Sequence, residues 1–311
     1  MARQYDILLL GDYFYDLIYT GLPEFPVLGR ECYCQGVTST GGAMYITATA
    51  LRRLGAHVGW VSNFGTDEYS RFVRELAAKE GIDLAWGRVL NEPYRRITSA
   101  MPFQGERAFL TYVDPDPADF YAYWMQAVEQ ADYRHLHVGG LLPPEHTTLF
   151  ERARQRGATI SMDCQDVPQL HTPCDWTALL ATVDIFLPNA REARLITRRD
   201  DVAEAARQLS RWVRIAVVKD GARGAWVAAD GHVQLVSGIH AGDEVDTTGA
   251  GDCFNAGFLY GWLVENAPYD VCARYGNICG GLSVTGVGGA TAAPTYAQLS
   301  EWLAKIAPAT P

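Results

Sequence analysis

Short apolar runs recur along the chain with longer amphipathic stretches between them. Ile7–Leu10, Val58–Ser62, Arg134–Val138, Thr159–Met162, Ile185–Leu187 and Ile215–Val218 are too short for helices and predict strands. Ala43–Leu54 and Glu68–Lys79 read as helices, as does Asp252–Leu263. Strands alternating with helices predict an α/β fold whose mostly parallel central sheet is covered on both faces. After Ile215–Val218 the pattern changes: Trp226 and Val227 carry a β signal and Asp230-Gly231 supplies a tight turn, which predicts a hairpin over 224–231. Residues 16–40 and 94–113 break the alternation, because β-branched and aromatic residues accumulate there without helical period; they predict strands outside the main sheet.

The chain has 311 residues, 48% of them hydrophobic and 20% charged, enough for one large domain or one with a smaller appendage. A net charge of −10 disfavours nucleic acid and anionic membrane as partners. It does not disfavour ATP, whose phosphates are handled by Mg²⁺ and local N–H groups. The stretch Met1–Asp6 lacks the pattern of a signal peptide, and no apolar run approaches the length of a membrane span. Seven scattered cysteines form no disulfide framework, so a reducing cytoplasm is the expected home. His135-Leu-His137 has metal-pair spacing without further ligands, and Cys32-Tyr-Cys34 lacks the gap of a zinc pair. Neither a P-loop nor a Gly-x-Gly-x-x-Gly turn after the first strand is present.

The candidate chemistry lies in Asp246-Thr-Thr-Gly-Ala-Gly-Asp-Cys-Phe254. Gly249, Ala250 and Gly251 leave the backbone nearly bare, so successive N–H groups can converge on an anion at the start of the following helix. Asp252 adds a carboxylate in the first turn. A phosphate cradle with an adjacent base suits phosphoryl transfer to a hydroxyl.

This run resembles the signature of the ribokinase-like (PfkB) carbohydrate and nucleoside kinases. Gly41-Gly42-Ala43 with the helix after it is similar to the family's N-terminal motif, Leu187-Pro-Asn189-Ala-Arg-Glu192 to its Asn-x-x-Glu element, and Val217-Val-Lys219-Asp-Gly221 to a nucleotide-phosphate contact. The resemblance covers nearly the whole chain. It implies one ribokinase-like domain over 1–311, with a small β lid built from insertions at about 16–40 and 94–113. It implies Asp252 as general base, Gly249, Ala250 and Gly251 as anion hole, and Asp16, Gly41 and Gly42 at the acceptor. It also implies Lys219, Gly221 and Asn277 at the nucleotide, and Asn189 and Glu192 around Mg²⁺ through water. Asp246 and Thr248 would lie at a K⁺-type ion. Ile46 departs from the pattern, since the family usually has Asn there, and Phe14 stands where some sugar kinases have a polar residue. Both point to a more apolar acceptor pocket.

The implied function is an ATP-dependent kinase acting on an alcohol of a sugar or sugar-containing small molecule. The alternatives are a nucleoside kinase of the same fold and a non-catalytic sugar- or nucleotide-binding regulator. An exposed lid edge would permit a homodimer.

Overall fold

The computed structural model describes residues 3–104, 106–143, 146–165, 168–171 and 174–306. The chain opens with β1 (Tyr5–Leu10), β2 (Tyr13–Thr20), β3 (Gly36–Ala43), α1 (Met44–Leu54), β4 (Val58–Val61), β5 (Asn63–Phe64) and α2 (Glu68–Lys79). Next come β6 (Arg88–Val89), β7 (Arg96–Phe103), β8 (Glu106–Val113), α3 (Phe120–Gln130), β9 (Tyr133–Val138), α4 (Thr147–Gln155), β10 (Thr159–Asp163) and α5 (Thr177–Leu180). The last part holds β11 (Ile185–Leu187), α6 (Ala190–Thr197), α7 (Val202–Leu209), β12 (Ile215–Lys219), β13 (Gly224–Ala229), β14 (His232–Ser237), α8 (Ala250–Leu263), α9 (Tyr269–Ser283) and α10 (Tyr296–Ile306).

Eight strands form the main sheet in the order β14-β13-β12-β11-β10-β9-β1-β4. From β12 to β4 all neighbours are parallel, and β13 and β14 add an antiparallel edge. Asp230 and Gly231 at the β13–β14 turn have φ of 51° and 80°, the left-handed pair a two-residue hairpin needs. Alternation along each parallel strand divides the core. Ile7, Leu9, Ile185, Leu187, Ile215 and Val217 pack with α1, α8 and α9, while Leu8, Leu10, Leu136, Val138, Ile160 and Phe186 pack with α3, α4, α6 and α7. Among the described residues no helix is long and apolar enough to cross a membrane.

A second sheet, ordered β3-β2-β7-β8, lies outside the first. It is formed by the two regions that broke the strand–helix alternation, although β2 starts at Tyr13, before residue 16. Asp12, which reads as a plain turn residue, instead ties the two sheets: at the end of β1 it pairs with Arg96 of β7 at 3.2 Å, and Arg96 also bonds Asp116. The predicted helix start at Ala43 shifts to Met44, because Ala43 closes β3 with a left-handed φ of 51°. Gly41 and Gly42 therefore lie in a strand.

Candidate active site

The carboxyl ends of β10 and β12, the start of α6 and the start of α8 border a cavity of about 590 Å³. Its lining includes Asp163, Glu192, Lys219, Gly251 and Asp252. Ligands in open α/β sheets bind in this position, beyond the strand ends.

The loop into α8 is shaped at Gly249, whose φ is 75°. A Cβ there would meet Gly289 Cα and Ile46 Cδ1, both at 2.8 Å, so both conformation and space call for glycine. Ile46 is buried, and its side chain bounds the space over Gly249. Ala250 turns its amide back to the Thr247 carbonyl at 3.3 Å. No described carbonyl accepts from the amides of Gly251 and Asp252, and both residues line the cavity. Of the 249–251 set, Ala250 has its amide engaged and Gly249 does not line the cavity, while Gly251 and Asp252 offer amides there.

Asp252 Oδ1 accepts a bond from Thr47 Oγ1 of α1 at 3.1 Å. Loss of surrounding water, and secondarily the Asp163 charge, push the Asp252 carboxyl up to about 7, against the pull of Lys219 and Thr47. A base poised there is half ionised at neutral pH and still a competent proton acceptor.

Lys219, at the end of β12, lies beside this base. Its Nζ donates to Asp163 Oδ1 at 2.8 Å and to Asn255 Oδ1 at 3.1 Å. Burial works against its charge, but Asp163 and then Glu192 hold its pKa above the ordinary lysine value. Gly221 and Asn277 also line the cavity. The Asn277 amide nitrogen is occupied, donating to the Val236 and Ser237 carbonyls at 2.9 and 3.0 Å.

Asn189 and Glu192 form a capping box on α6: Oδ1 of Asn189 accepts from Glu192 N, and Oε2 of Glu192 from Asn189 N. Both also line the cavity, so the capping box does not withdraw them from it. Asp246 accepts from Thr248 N and Gly288 N, both at 2.9 Å, which staples two loops. Thr248 Oγ1 is buried without a partner.

Asp16 lies on β2, two residues from Phe14 and on the same face. It is 7% exposed and has no described donor. Burial, and then the Asp246 charge, push it up to about 7. The paired glycines are explained here: a Cβ on Gly42 would meet Asp16 Oδ2 at 2.2 Å, and one on Gly41 the Tyr45 ring at 2.2 Å. Asp16 does not line the 590 Å³ cavity, yet its charge acts on Asp252.

Sequence reasoning missed four residues. Asp163, Asn255 and Thr47 surround the base, and Arg107 of β8 reaches the cavity from the second sheet. Asn255 follows Asp252 by three positions, one helical turn, which is a legible signal. Asp163 closes a strand at its ligand-bearing end.

A family profile described as "pfkB family carbohydrate kinase" matches residues 25–296. The chain belongs to that family. It is an ATP-dependent phosphotransferase with an alcohol acceptor, of the sugar and nucleoside kinase type. A fructokinase of Vibrio alginolyticus is 27% identical over 85% of this chain and 91% of its own length. A cytidine kinase of Thermococcus kodakarensis is 29% identical over 77% of this chain and 86% of its own. The structure of Arabidopsis thaliana ribokinase complexed with ribose and ATP superposes with a TM-score of 0.76 at 20% identity, covering 96% and 98% of the two chains; it shares the fold.

Proposed function

We propose that this pfkB-family chain moves the γ-phosphoryl group of ATP to a primary alcohol of a sugar or nucleoside, with Asp252 as the general base. One observation carries this reading: the Asp252 carboxylate, raised to about 7, borders the same cavity as the unengaged amides of Gly251 and Asp252. The acceptor hydroxyl gives its proton to Asp252 as its oxygen attacks the γ-phosphorus, and the bond from that phosphorus to the β–γ bridging oxygen breaks, so that ADP leaves. Those amides, at the positive end of α8, take up charge on the phosphoryl oxygens; loss of one such donor in other enzymes costs about 3 kcal/mol. Lys219 adds a fixed positive charge beside Gly251.

No group of three or more His, Cys, Asp and Glu among the described residues could cage a metal. Mg²⁺ suits the site as a hydrated ion held by phosphates and by Asn189 and Glu192 through water. When bound, it screens the phosphate charges from the incoming alcohol. The buried, unpartnered Thr248 Oγ1 beside Asp246 fits a K⁺-type ion, tested by comparing turnover in K⁺ and Na⁺.

Asp16, with Gly41 and Gly42 making room around it, accepts from two acceptor hydroxyls. Phe14 on the same strand face favours an acceptor with a flat ring, so a nucleoside is the second reading. The outer sheet closes over the acceptor as a lid within a single domain. Its exposed apolar side chains, among them Val37, Phe109 and Leu110, suit a second copy of the chain, which light scattering would detect as a dimer. The cysteines are all free, in keeping with the cytoplasm.

The deciding experiment is ADP release with ATP, Mg²⁺ and a panel of D-fructose, D-ribose, cytidine and inosine. At least one should stimulate release, and Asp252→Asn should lower that rate by about 10²–10⁴ while ATP still binds. Full turnover in the variant would remove Asp252 as base.

A further inference from the structure

A polar seam crosses the apolar face that the main sheet turns toward α8. On that face β1, β11 and β12 present Ile7, Leu9, Ile185, Leu187, Ile215 and Val217. The strands between them present His135 and His137 on β9, and Thr159, Ser161 and Asp163 on β10. Thr159 Oγ1 lies 2.9 Å from His135 Nδ1, and Ser161 Oγ lies 2.7 Å from both His135 Nε2 and His137 Nδ1. One hydroxyl proton cannot serve both rings, so at least one ring must donate to Ser161. Burial keeps both rings neutral, His137 down to about 4 despite the pull of Asp163. The only charge in the seam is therefore Asp163, at its upper end.

Asp163 is fully engaged. Oδ1 accepts from Lys219 Nζ at 2.8 Å and from Cys164 N at 2.7 Å, and Oδ2 accepts from Asn255 Nδ2 at 2.7 Å. Asn255 Oδ1 in turn accepts from Lys219 Nζ. The three side chains close a ring that joins β10, β12 and α8, with Asp252 one helical turn before Asn255. Without Asp163, the carboxylates left to act on the buried ammonium would be those of Glu192 and Asp252. An Asp252 paired to Lys219 would be a poor acceptor for the hydroxyl proton.

We propose that Asp163 is a positioning residue that draws the Lys219 ammonium away from Asp252, leaving that carboxylate free to accept a proton while the ammonium stays fixed beside Gly251. The proposal rests on Asp252 as base for its catalytic meaning. The groups acting on Asp252 are Asp163 from β10, Lys219 from β12, Thr47 from α1 and Asp16 from β2. Glu192 from α6 acts on Lys219, and the Lys219 charge in turn opposes protonation of His137.

The test needs no substrate. Asp252 ionises less readily in the fold than in the unfolded chain, so the wild type loses more stability than Asp252→Asn as pH rises from about 4 through 7, the losses from Asp16 and Asp12 being common to both. The unfolding-midpoint gap between the two should open over that range. With Asp163→Asn in both partners the gap at pH 8 should fall to less than half. Loss of the like charge narrows the gap whatever Lys219 does, so the decisive arm repeats the comparison with Lys219→Met throughout: with no ammonium left to turn to Asp252, Asp163→Asn should narrow the gap by less than half as much. Equal narrowing with and without Lys219, an unchanged gap, or a wider one with Asp163→Asn overturns the proposal. Should Asp163→Asn fail to fold, Asp163→Ser in the same two backgrounds gives the same comparison. Failure of the base reading would appear separately, as turnover retained by Asp252→Asn.

Discussion

Replacing Asp16 by Asn should make the protein more stable and a worse enzyme. Asp16 is buried against the Gly42 backbone with no described donor, and its carboxyl is pushed up to about 7. In the unfolded chain it would titrate near 4. The folded state therefore favours the protonated form: its contribution is fully present below pH 4 and is lost as pH rises through 7. Three pH units correspond to about 4 kcal/mol at pH 8, and allowing for relaxation around the charge we expect about 2–4 kcal/mol. Asn keeps the shape without the charge. Its unfolding midpoint should exceed that of the wild type by about 3–8 °C at pH 8, and the gap should close toward pH 4. The assay is thermal unfolding across pH 4–8 without ligand, followed by acceptor kinetics at pH 8. Two charge-assisted bonds to acceptor hydroxyls, at about 1.5–3 kcal/mol each, put the expected loss in kcat/KM at or above about 10². A pH-independent gap would refute the burial argument, and an unchanged kcat/KM would refute the acceptor role.

Further outcomes follow from the same geometry. Because Asp252 must be ionised to accept a proton and titrates near 7, kcat/KM should rise about tenfold per pH unit below 7 and level off above it; a profile flat from pH 5 to 8 contradicts this. Gly42→Ala places a methyl 2.2 Å from Asp16 Oδ2, so the acceptor KM should rise at least about tenfold while that for ATP holds, and a change confined to ATP would move Asp16 to the wrong substrate. At Gly251 an added Cβ meets nothing nearer than Lys219 Nζ at 3.5 Å, so Gly251→Val should leave stability nearly intact and cut kcat by about 10² or more through the phosphate space; normal kinetics would mean the loop does not touch phosphate.

Much of the fold was legible because the parallel strands are short, apolar and evenly punctuated. The run Asp246–Phe254 pointed to the proposed phosphate loop because its small residues and its acid have few joint uses elsewhere. What escaped was set by register across the sheet rather than along the chain. Asp163 looks like a strand stop, and only the alignment of β10 with β11 and β12 brings it to Lys219. Asp12 reads as a turn until β7 delivers Arg96 to it. Ile46 stands where the family usually has Asn, and only the fold brings its side chain up to the space at Gly249. Helix α9 could not be delimited because its glycines and small residues blur its apolar stripe.

The Thr47–Asp252 bond spans 205 positions, and the cavity draws its walls from Ala43 through Val284. A ribosome must therefore finish most of this polypeptide before any nucleotide could be gripped. Half-made copies are born without a ligand to steady them, and only the completed molecule gains that protection.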